Sequence, residues 1–101
     1  MYLLRMYFTI TPGKYDEAMG LMRRIKAASQ RHGLPAGRVL ASHFVSFGNP
    51  NWTWEAEFES LAAMEAGLEK MESAPEMEEI GPASVGVWNQ QWIEVYHIVD
   101  V

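Results

Sequence analysis

Residues 2 to 10 alternate between two sets of side chains, which is the period of a β-strand. One set is wholly apolar and comprises Tyr2, Leu4, Met6, Phe8 and Ile10. The other set is mixed and contains Leu3, Arg5, Tyr7 and Thr9. The pattern predicts a first strand with one face in the core and a second face that carries a cation.

After a turn at residues 11–13, apolar residues return at helical spacing. They are Tyr15, Ala18, Met19, Met22, Ile25 and Ala28. Acidic residues lead and basic residues trail, as the helix dipole prefers. Gly33 and Pro35 are stop signals, so we expect this helix to end near His32.

Two further strands are predicted at residues 38–47 and 52–59, because a Gly-Asn-Pro-Asn turn signal at 48–51 separates two runs of strand-forming residues. Ser60 is placed to cap a second helix, whose apolar stripe comprises Leu61, Met64, Leu68 and Met71. Pro75 is expected to end that helix or to start a short turn through Ile80. Residues 81–86 are small and are expected to form a loop, and the last strand is expected at about 90–99.

The predicted order βαββαβ indicates a single ferredoxin-like domain over residues 1–101, of the α+β class. In this fold two helices cover one face of a four-stranded antiparallel sheet in the order 4-1-3-2. The mixed sets then share the uncovered face, with either Ser42 or His43 beside them, depending on the register of the second strand. So many aromatic residues are unusual on a face exposed only to solvent, which favours a partner or a ligand there.

Composition narrows the functional classes. Eight basic and thirteen acidic residues give a net charge of −5, and no basic stripe is present, so nucleic acid and membrane surfaces are not expected partners. Cysteine is absent, which leaves no disulfide or thiolate chemistry. No apolar run could span a bilayer and no signal-peptide pattern is present, so we expect a cytoplasmic location.

The candidate chemistry lies on the mixed face. Tyr7, Trp92 and Tyr96 could wall a pocket for a flat organic molecule, with Arg5 or His43 fixing a carboxylate or phenolate. The competing interpretation makes these aromatics part of a dimer interface. Glu55 belongs to the same set, and a salt bridge from Arg5 to Glu55, Glu57 or Glu94 is expected because an arginine on the central strand can be covered only if paired.

The histidines suggest little more. His43 could act as a catalytic base with Arg5 as the cation, but for His43 and His97 the competing interpretation is a partly buried histidine with one hydrogen bond. His32 is interpreted as a helix C-terminal residue. A metal site from His43, Glu55 and Glu57 has no supporting ligand spacing, and only His43 could be a haem ligand, so we expect neither metal nor cofactor.

Three short stretches carry a family resemblance: Arg5 and Tyr7 followed by Thr-Pro-Gly-Lys at 11–14, Phe-Glu-Ser-Leu at 58–61, and Ala-Pro-Glu-Met at 74–77. Together they resemble the NIPSNAP-like branch of the dimeric α/β-barrel proteins, a superfamily whose related branches include antibiotic-biosynthesis monooxygenases. The resemblance implies a homodimer with a cavity between sheet and helices or between sheets. We therefore expect a protein that binds a small aromatic or polyketide-like ligand, or alternatively a cofactor-independent monooxygenase-type enzyme.

Overall fold

Four strands and three helices are present in residues 1–43 and 51–101, which are the residues that the computed structural model describes. In chain order they are β1 (Tyr2–Ile10), α1 (Tyr15–Arg31), β2 (Arg38–Ala41), β3 (Trp52–Phe58), α2 (Leu61–Glu72), α3 (Met77–Ser84) and β4 (Trp88–His97). The strands form one antiparallel sheet in the order β2-β3-β1-β4. The predicted ferredoxin-like architecture and the central position of β1 are confirmed.

The strand register separates two faces of the sheet. Leu4 lies opposite Ala56 on one side and Val95 on the other, and this face, the helix side, packs against the helices. Arg5 lies opposite Glu55 and Glu94 on the other face, which we call the open face. The open face comprises Leu3, Arg5, Tyr7, Thr9, Arg38, Leu40, Thr53, Glu55, Glu57, Trp92, Glu94 and Tyr96. The predicted division of β1 and β3 into apolar and mixed faces is confirmed.

Two clusters of buried apolar side chains hold the helices to the sheet. The first joins β1 and β3 to α1 and α2, and comprises Leu4, Phe8, Met22, Trp54, Ala56, Phe58 and Met64. The second joins the end of β1 to α1 and α3, and comprises Ile10, Ala18, Leu21, Ile80 and Val87. Each large side chain buried in this way contributes roughly 1.5–3 kcal/mol, so these clusters fix the helices over the sheet.

The predicted helix boundaries are confirmed by their caps. Ser60 precedes α2, and its hydroxyl accepts a hydrogen bond from the backbone N–H of Ala63 at 3.0 Å. His32 caps the C-terminal end of α1, and the next residue, Gly33, has a φ of +76°. That left-handed conformation suits glycine and turns the chain out of the helix.

The segment after α2 corrects the sequence interpretation. Residues 77–84 form the helix α3, although residues 81–86 were expected to be a loop because of their small side chains and Pro82. Ile80 is almost fully buried beside α1, so tertiary packing outweighs the weak helix propensity of this segment. The covered side of the sheet therefore has α1, α2 and α3 rather than two helices.

The outer strands also differ from the prediction. β2 is described only over Arg38–Ala41, and the rest of the predicted strand and its turn, residues 44–50, lie outside the described residues. β4 spans Trp88–His97 rather than 90–99. On its helix side Ile93 and Val95 are about half exposed, at 50% and 48%, because the helices do not extend over this edge strand.

His97 lies at the same uncovered edge, which corrects its expected partial burial. Its side chain is exposed, and its ring stacks on that of Tyr2 with centroids 4.9 Å apart. An edge strand without a helix above it leaves such a residue in water, even though its alternation is that of the core-facing set.

Candidate functional site

A cavity of about 310 Å³ lies between the helix side of the sheet and the helices α1, α2 and α3. β1, β3 and β4 supply its floor, and the three helices and Leu34, in the loop after α1, supply its other walls. Its apolar lining comprises Leu4, Met6, Phe8, Met22, Ile25, Leu34, Trp54, Phe58, Leu68, Met71, Met77, Ile80 and Trp88. The cavity thus lies where the first core cluster meets α3.

Methionine and aromatic side chains dominate this wall. Met6, Met22, Met71 and Met77 bring unbranched, polarisable thioethers, which adapt to ligands of different shape. Trp54 and Trp88 bring flat apolar surfaces, and Trp88 also packs against Phe8 with ring centroids 4.9 Å apart. The wall therefore offers both polarisable and aromatic contact surfaces to an apolar molecule.

Gly37 fixes the position of Trp54 in this wall. A Cβ atom at residue 37 would lie 2.3 Å from Nε1 and 2.4 Å from Cε2 of the Trp54 ring, closer than real carbon contacts allow. The same close fit seals the indole nitrogen, since Trp54 Nε1 is buried and has no hydrogen-bond partner among the described residues. Only glycine at residue 37 permits this placement of the ring.

Four polar side chains complete the wall: Ser29, Glu72, Ser84 and Gln91. Ser29 donates its hydroxyl hydrogen to the carbonyl of Lys26 at 2.9 Å, and Ser84 donates to the carbonyl of Gly81 at 2.7 Å. Among the residues that the structure describes, no Lys, Arg or His lines the cavity. The site is therefore apolar with a few hydrogen-bonding positions and no cation.

The open face carries a charged network centred on Glu55. Arg5 Nε donates to Glu55 Oε2 at 2.7 Å, and Arg38 Nε donates to Glu55 Oε1 at 2.7 Å. Glu55 is only 4% exposed, whereas the Arg5 and Arg38 side chains are 37% and 72% exposed. The predicted pairing of Arg5 is confirmed, and its partner is Glu55.

Protonation at this network follows from the contacts. Burial by itself would raise the pKa of Glu55, but the hydrogen bonds from Arg5 and Arg38 outweigh burial and hold that pKa below its usual value. The hydrogen bond to Glu55 also raises the pKa of Arg5. The group is therefore one carboxylate held between two guanidiniums, with one positive charge in excess.

Aromatic residues extend this network towards β4. Tyr7 stacks on Trp92 with centroids 5.3 Å apart and an interplanar angle of 12°, and Arg5 Cζ lies 5.5 Å from the ring centroid of Tyr96. The Tyr96 hydroxyl donates to Glu94 and lies 3.4 Å from the Tyr7 hydroxyl. The bond to Glu94 raises the pKa of Tyr96 well above its usual value and lowers that of Glu94.

The sequence-predicted site residues thus divide into two groups. Arg5, Tyr7, Glu55, Trp92 and Tyr96 meet on the open face, and none of them lines the helix-side cavity. For the lining residues of β1, β3, α1 and α2, the sequence predicts only apolar faces, because an apolar stripe looks the same whether or not a void lies beside it.

His43 lies apart from that group. It is exposed and lies two residues beyond the end of β2. The β2 residues on the open face are Arg38 and Leu40, so Ser42 rather than His43 continues their alternation. Arg38 and Arg5 both lie opposite Glu55, so they have the same position along the strand direction. His43 comes five residues after Arg38, which at about 3.3 Å per residue places it on the order of 15 Å from Arg5 along that direction. Arg5 and His43 do not converge within one protomer.

Two further properties of the described residues concern ligands and membranes. No group of three or more His, Asp or Glu side chains in 1–43 and 51–101 is arranged to hold a metal ion. No helix in this part of the chain is long and apolar enough to cross a bilayer.

Comparison with known proteins gives structural neighbours only. No protein-family model matches the chain, and no curated protein matches it. An uncharacterised NIPSNAP domain protein from Burkholderia xenovorans has 15% identity and a TM-score of 0.73, over 98% of this chain and 95% of that one. SnoaB, a cofactor-independent oxygenase from Streptomyces nogalater, has 12% identity and a TM-score of 0.70, over 99% and 94%.

A third neighbour bears on assembly. A dimeric ferredoxin-like protein of unknown function from Thermobifida fusca has 10% identity and a TM-score of 0.66, over 96% of this chain and 90% of that one. These likenesses are to the fold. The predicted resemblance to NIPSNAP-like and antibiotic-biosynthesis-monooxygenase-like proteins is confirmed at that level.

Proposed function

We propose that this protein binds a small, apolar, aromatic or polyketide-like molecule in the helix-side cavity. The observation that carries the proposal is an apolar space of about 310 Å³ walled by methionine and aromatic side chains. Ligand pockets in proteins start at about 300 Å³ and are lined mostly by such residues, with a few polar groups that set orientation. The cavity therefore has the size and lining of a pocket for a small ligand.

Burial of apolar surface supports the same proposal. The wall of the cavity is mostly apolar, so a bound apolar molecule would remove both the wall and its own surface from water. Each Å² of apolar surface buried in this way contributes roughly 25 cal/mol to binding.

Binding is better supported than oxygenation. Oxygen chemistry without a cofactor needs a base and a group that stabilises the substrate anion. The described wall residues include no histidine and no cation, while Arg5 is on the other face and its Nε is hydrogen-bonded to Glu55. The monooxygenase-type alternative thus has no base and cation pair in the described part of the wall.

The open face supports a homodimer, the arrangement that the resemblance implies. Tyr7, Trp92 and Tyr96 lie together there, beside a nearly buried carboxylate and its two arginines. A second copy packed face to face would cover these rings and the charged network of Arg5, Arg38 and Glu55. A role of the open face in holding a ligand group and a catalytic role of His43 stay predictions, as does a cytoplasmic location.

Ligand binding can be tested by calorimetric titration with a neutral naphthalene derivative, 2-methoxynaphthalene. We expect saturable binding of one molecule per protomer, and at least tenfold weaker binding in Ile25→Trp, because residue 25 of α1 lines the cavity and an indole would fill it. Met19→Trp is the matched control, since Met19 lies on the exposed side of the same helix at 42% exposure. No saturable binding, or equal affinity in Ile25→Trp and the unmodified protein, would contradict the proposal.

The dimer is tested by sedimentation at micromolar concentration. We expect a single species of twice the chain mass. A monomer would remove the support for packing of the two open faces.

A further inference from the structure

We propose that the cavity selects uncharged ligands that donate hydrogen bonds, and that Ser29 and Ser84 are the residues that make this selection. This inference rests on the proposed function, because it names the chemistry of the ligand that the cavity accepts. It concerns two hydroxyl groups that the helices α1 and α3 contribute to an otherwise apolar wall.

The hydrogens of both hydroxyls are already engaged. Ser29 is 4% exposed and donates to the Lys26 carbonyl one turn earlier in α1. Ser84 makes the equivalent bond to the Gly81 carbonyl at the end of α3. In each case the hydroxyl satisfies a backbone group of its own helix, and turning the hydrogen towards a ligand would break that bond.

A hydroxyl whose hydrogen is engaged still has lone pairs to offer. Towards the cavity, Ser29 and Ser84 therefore act as hydrogen-bond acceptors. A ligand with a hydroxyl or amine hydrogen would satisfy them, whereas a carbonyl or ether oxygen at the same position would face a second acceptor. Leaving a buried polar group without its partner costs affinity, so the wall discriminates between these ligands.

The remaining polar groups of the wall also accept hydrogen bonds, are sealed from the cavity, or lie at its exposed rim. Glu72 at the end of α2 is an exposed carboxyl group, which as a carboxylate only accepts hydrogen bonds and repels anions. The Trp54 nitrogen, a donor by type, is sealed against Gly37. Gln91, the one described wall side chain able to donate freely, is exposed on β4.

Charge completes the selection. A buried anion needs a cation or several donors around it. The wall offers neither among the residues that the structure describes, because its polar members are Ser29, Glu72, Ser84 and Gln91. A carboxylate ligand would lose its hydration without replacement, whereas a neutral hydroxyl compound would keep a hydrogen bond.

Three naphthalene probes of similar shape separate these effects at pH 7: 2-naphthol as donor, 2-methoxynaphthalene as a matched non-donor, and 2-naphthoate as anion. We expect 2-naphthol to bind about fivefold more tightly than 2-methoxynaphthalene, which is the effect of roughly one hydrogen bond. We expect 2-naphthoate to bind at least tenfold more weakly than 2-naphthol.

Variants assign the preference to the serines. Ser84→Ala and Ser29→Ala should each reduce the affinity for 2-naphthol two- to fivefold and leave the affinity for 2-methoxynaphthalene unchanged. Ser73→Ala is the matched control, because Ser73 makes the same kind of bond, to the Glu69 carbonyl at 2.9 Å, but lies outside the cavity. Binding of 2-methoxynaphthalene also reports that each variant is folded.

Different results would contradict ligand binding and ligand selection. If all three probes bind without saturation, the proposed ligand-binding function is wrong, and this inference with it. If 2-methoxynaphthalene binds but 2-naphthol is no tighter, or 2-naphthoate is equal or better, the cavity binds ligands without the proposed selection. A preference for 2-naphthol that both serine variants retain would show that other groups make it, and would overturn the assignment to Ser29 and Ser84.

Discussion

The two faces of the sheet are made by alternate residues of the same strands, yet they are stabilised by different interactions. On the helix side, Leu4 and Phe8 are buried among apolar neighbours, and a void remains beside them. On the open face, Arg5 and Arg38 hold the carboxylate of Glu55 at 4% exposure. One face is stabilised by removing apolar surface from water, and the other by pairing charges.

This difference shows how one sheet can carry two kinds of surface chemistry. Because successive side chains of a strand point to opposite faces, each face can acquire its own chemistry without disturbing the other. The helix side encloses an apolar cavity, while the open face carries paired charges and stacked aromatic rings.

The largest effect is expected from adjacent leucines that point to opposite faces. Leu4→Ala removes a fully buried side chain and should lower the free energy of unfolding by about 3 kcal/mol. Leu3→Ala changes a partly exposed residue of the open face and should cost less than about 1 kcal/mol in dilute protein. Urea unfolding measures both. Equal losses would show that the open face is covered as completely as the helix side.

The next effect concerns the two arginines on Glu55. Arg5→Met should destabilise the protein by about 2 kcal/mol, less than for a fully buried pair, because Arg38 still holds the carboxylate. Arg38→Met should cost about 0.5 kcal/mol, since that guanidinium is largely exposed. Thermal melting and dimer affinity test both. If Arg5→Met matches the unmodified protein in both, Arg5 is a solvated surface residue and its predicted role as a ligand anchor is lost.

A smaller effect is expected where Gly37 meets Trp54. Gly37→Ala places a methyl group where the indole ring lies and should cost about 1.5 kcal/mol and weaken binding of 2-methoxynaphthalene, because the ring must shift within the cavity wall. Gly20→Ala is the control: a Cβ there meets nothing within 4 Å, and alanine favours the helix. Unchanged stability and binding in Gly37→Ala would mean that the ring adjusts without strain.

The smallest effect is a pH dependence on the helix side. Glu76 accepts hydrogen bonds from Arg31 at 2.9 and 3.1 Å and lies 3.1 Å from His32 Nε2, so α3 is tied to the end of α1. The contact with His32, followed by other hydrogen bonds, lowers the pKa of Glu76 from 4.5 to about 2. Because the folded-state pKa is the lower one, this stabilisation is present above about pH 4.5 and is lost as the pH falls towards 2.

Glu76→Gln should therefore flatten the fall in melting temperature between about pH 4.5 and 2. Glu78→Gln is the control, since Glu78 is an exposed neighbour for which the described residues provide no ion pair. If Glu76→Gln keeps the same acid profile as Glu78→Gln, the contact between α1 and α3 contributes nothing to the pH dependence of stability.

The sequence by itself determined which face of each central strand is apolar, because strand alternation is a local property that every residue of β1 and β3 obeys. It also determined the C-terminal end of α1 and the start of α2, since Gly33 and Ser60 act through their own backbone neighbours. The fold class followed from the order of these elements. The pairing of Arg5 followed because an arginine on a central strand faces acidic residues on both sides.

Only the tertiary structure decided how the elements enclose space. The α3 helix exists because Ile80 packs beside α1, and no local signal in a segment with Pro82 reveals that contact. The cavity depends on the distances that packed side chains leave between helices and sheet, whereas sequence patterns specify faces and not volumes. The separation of Arg5 from His43 was equally hidden, because it depends on the register and length of β2, which alternation alone leaves open.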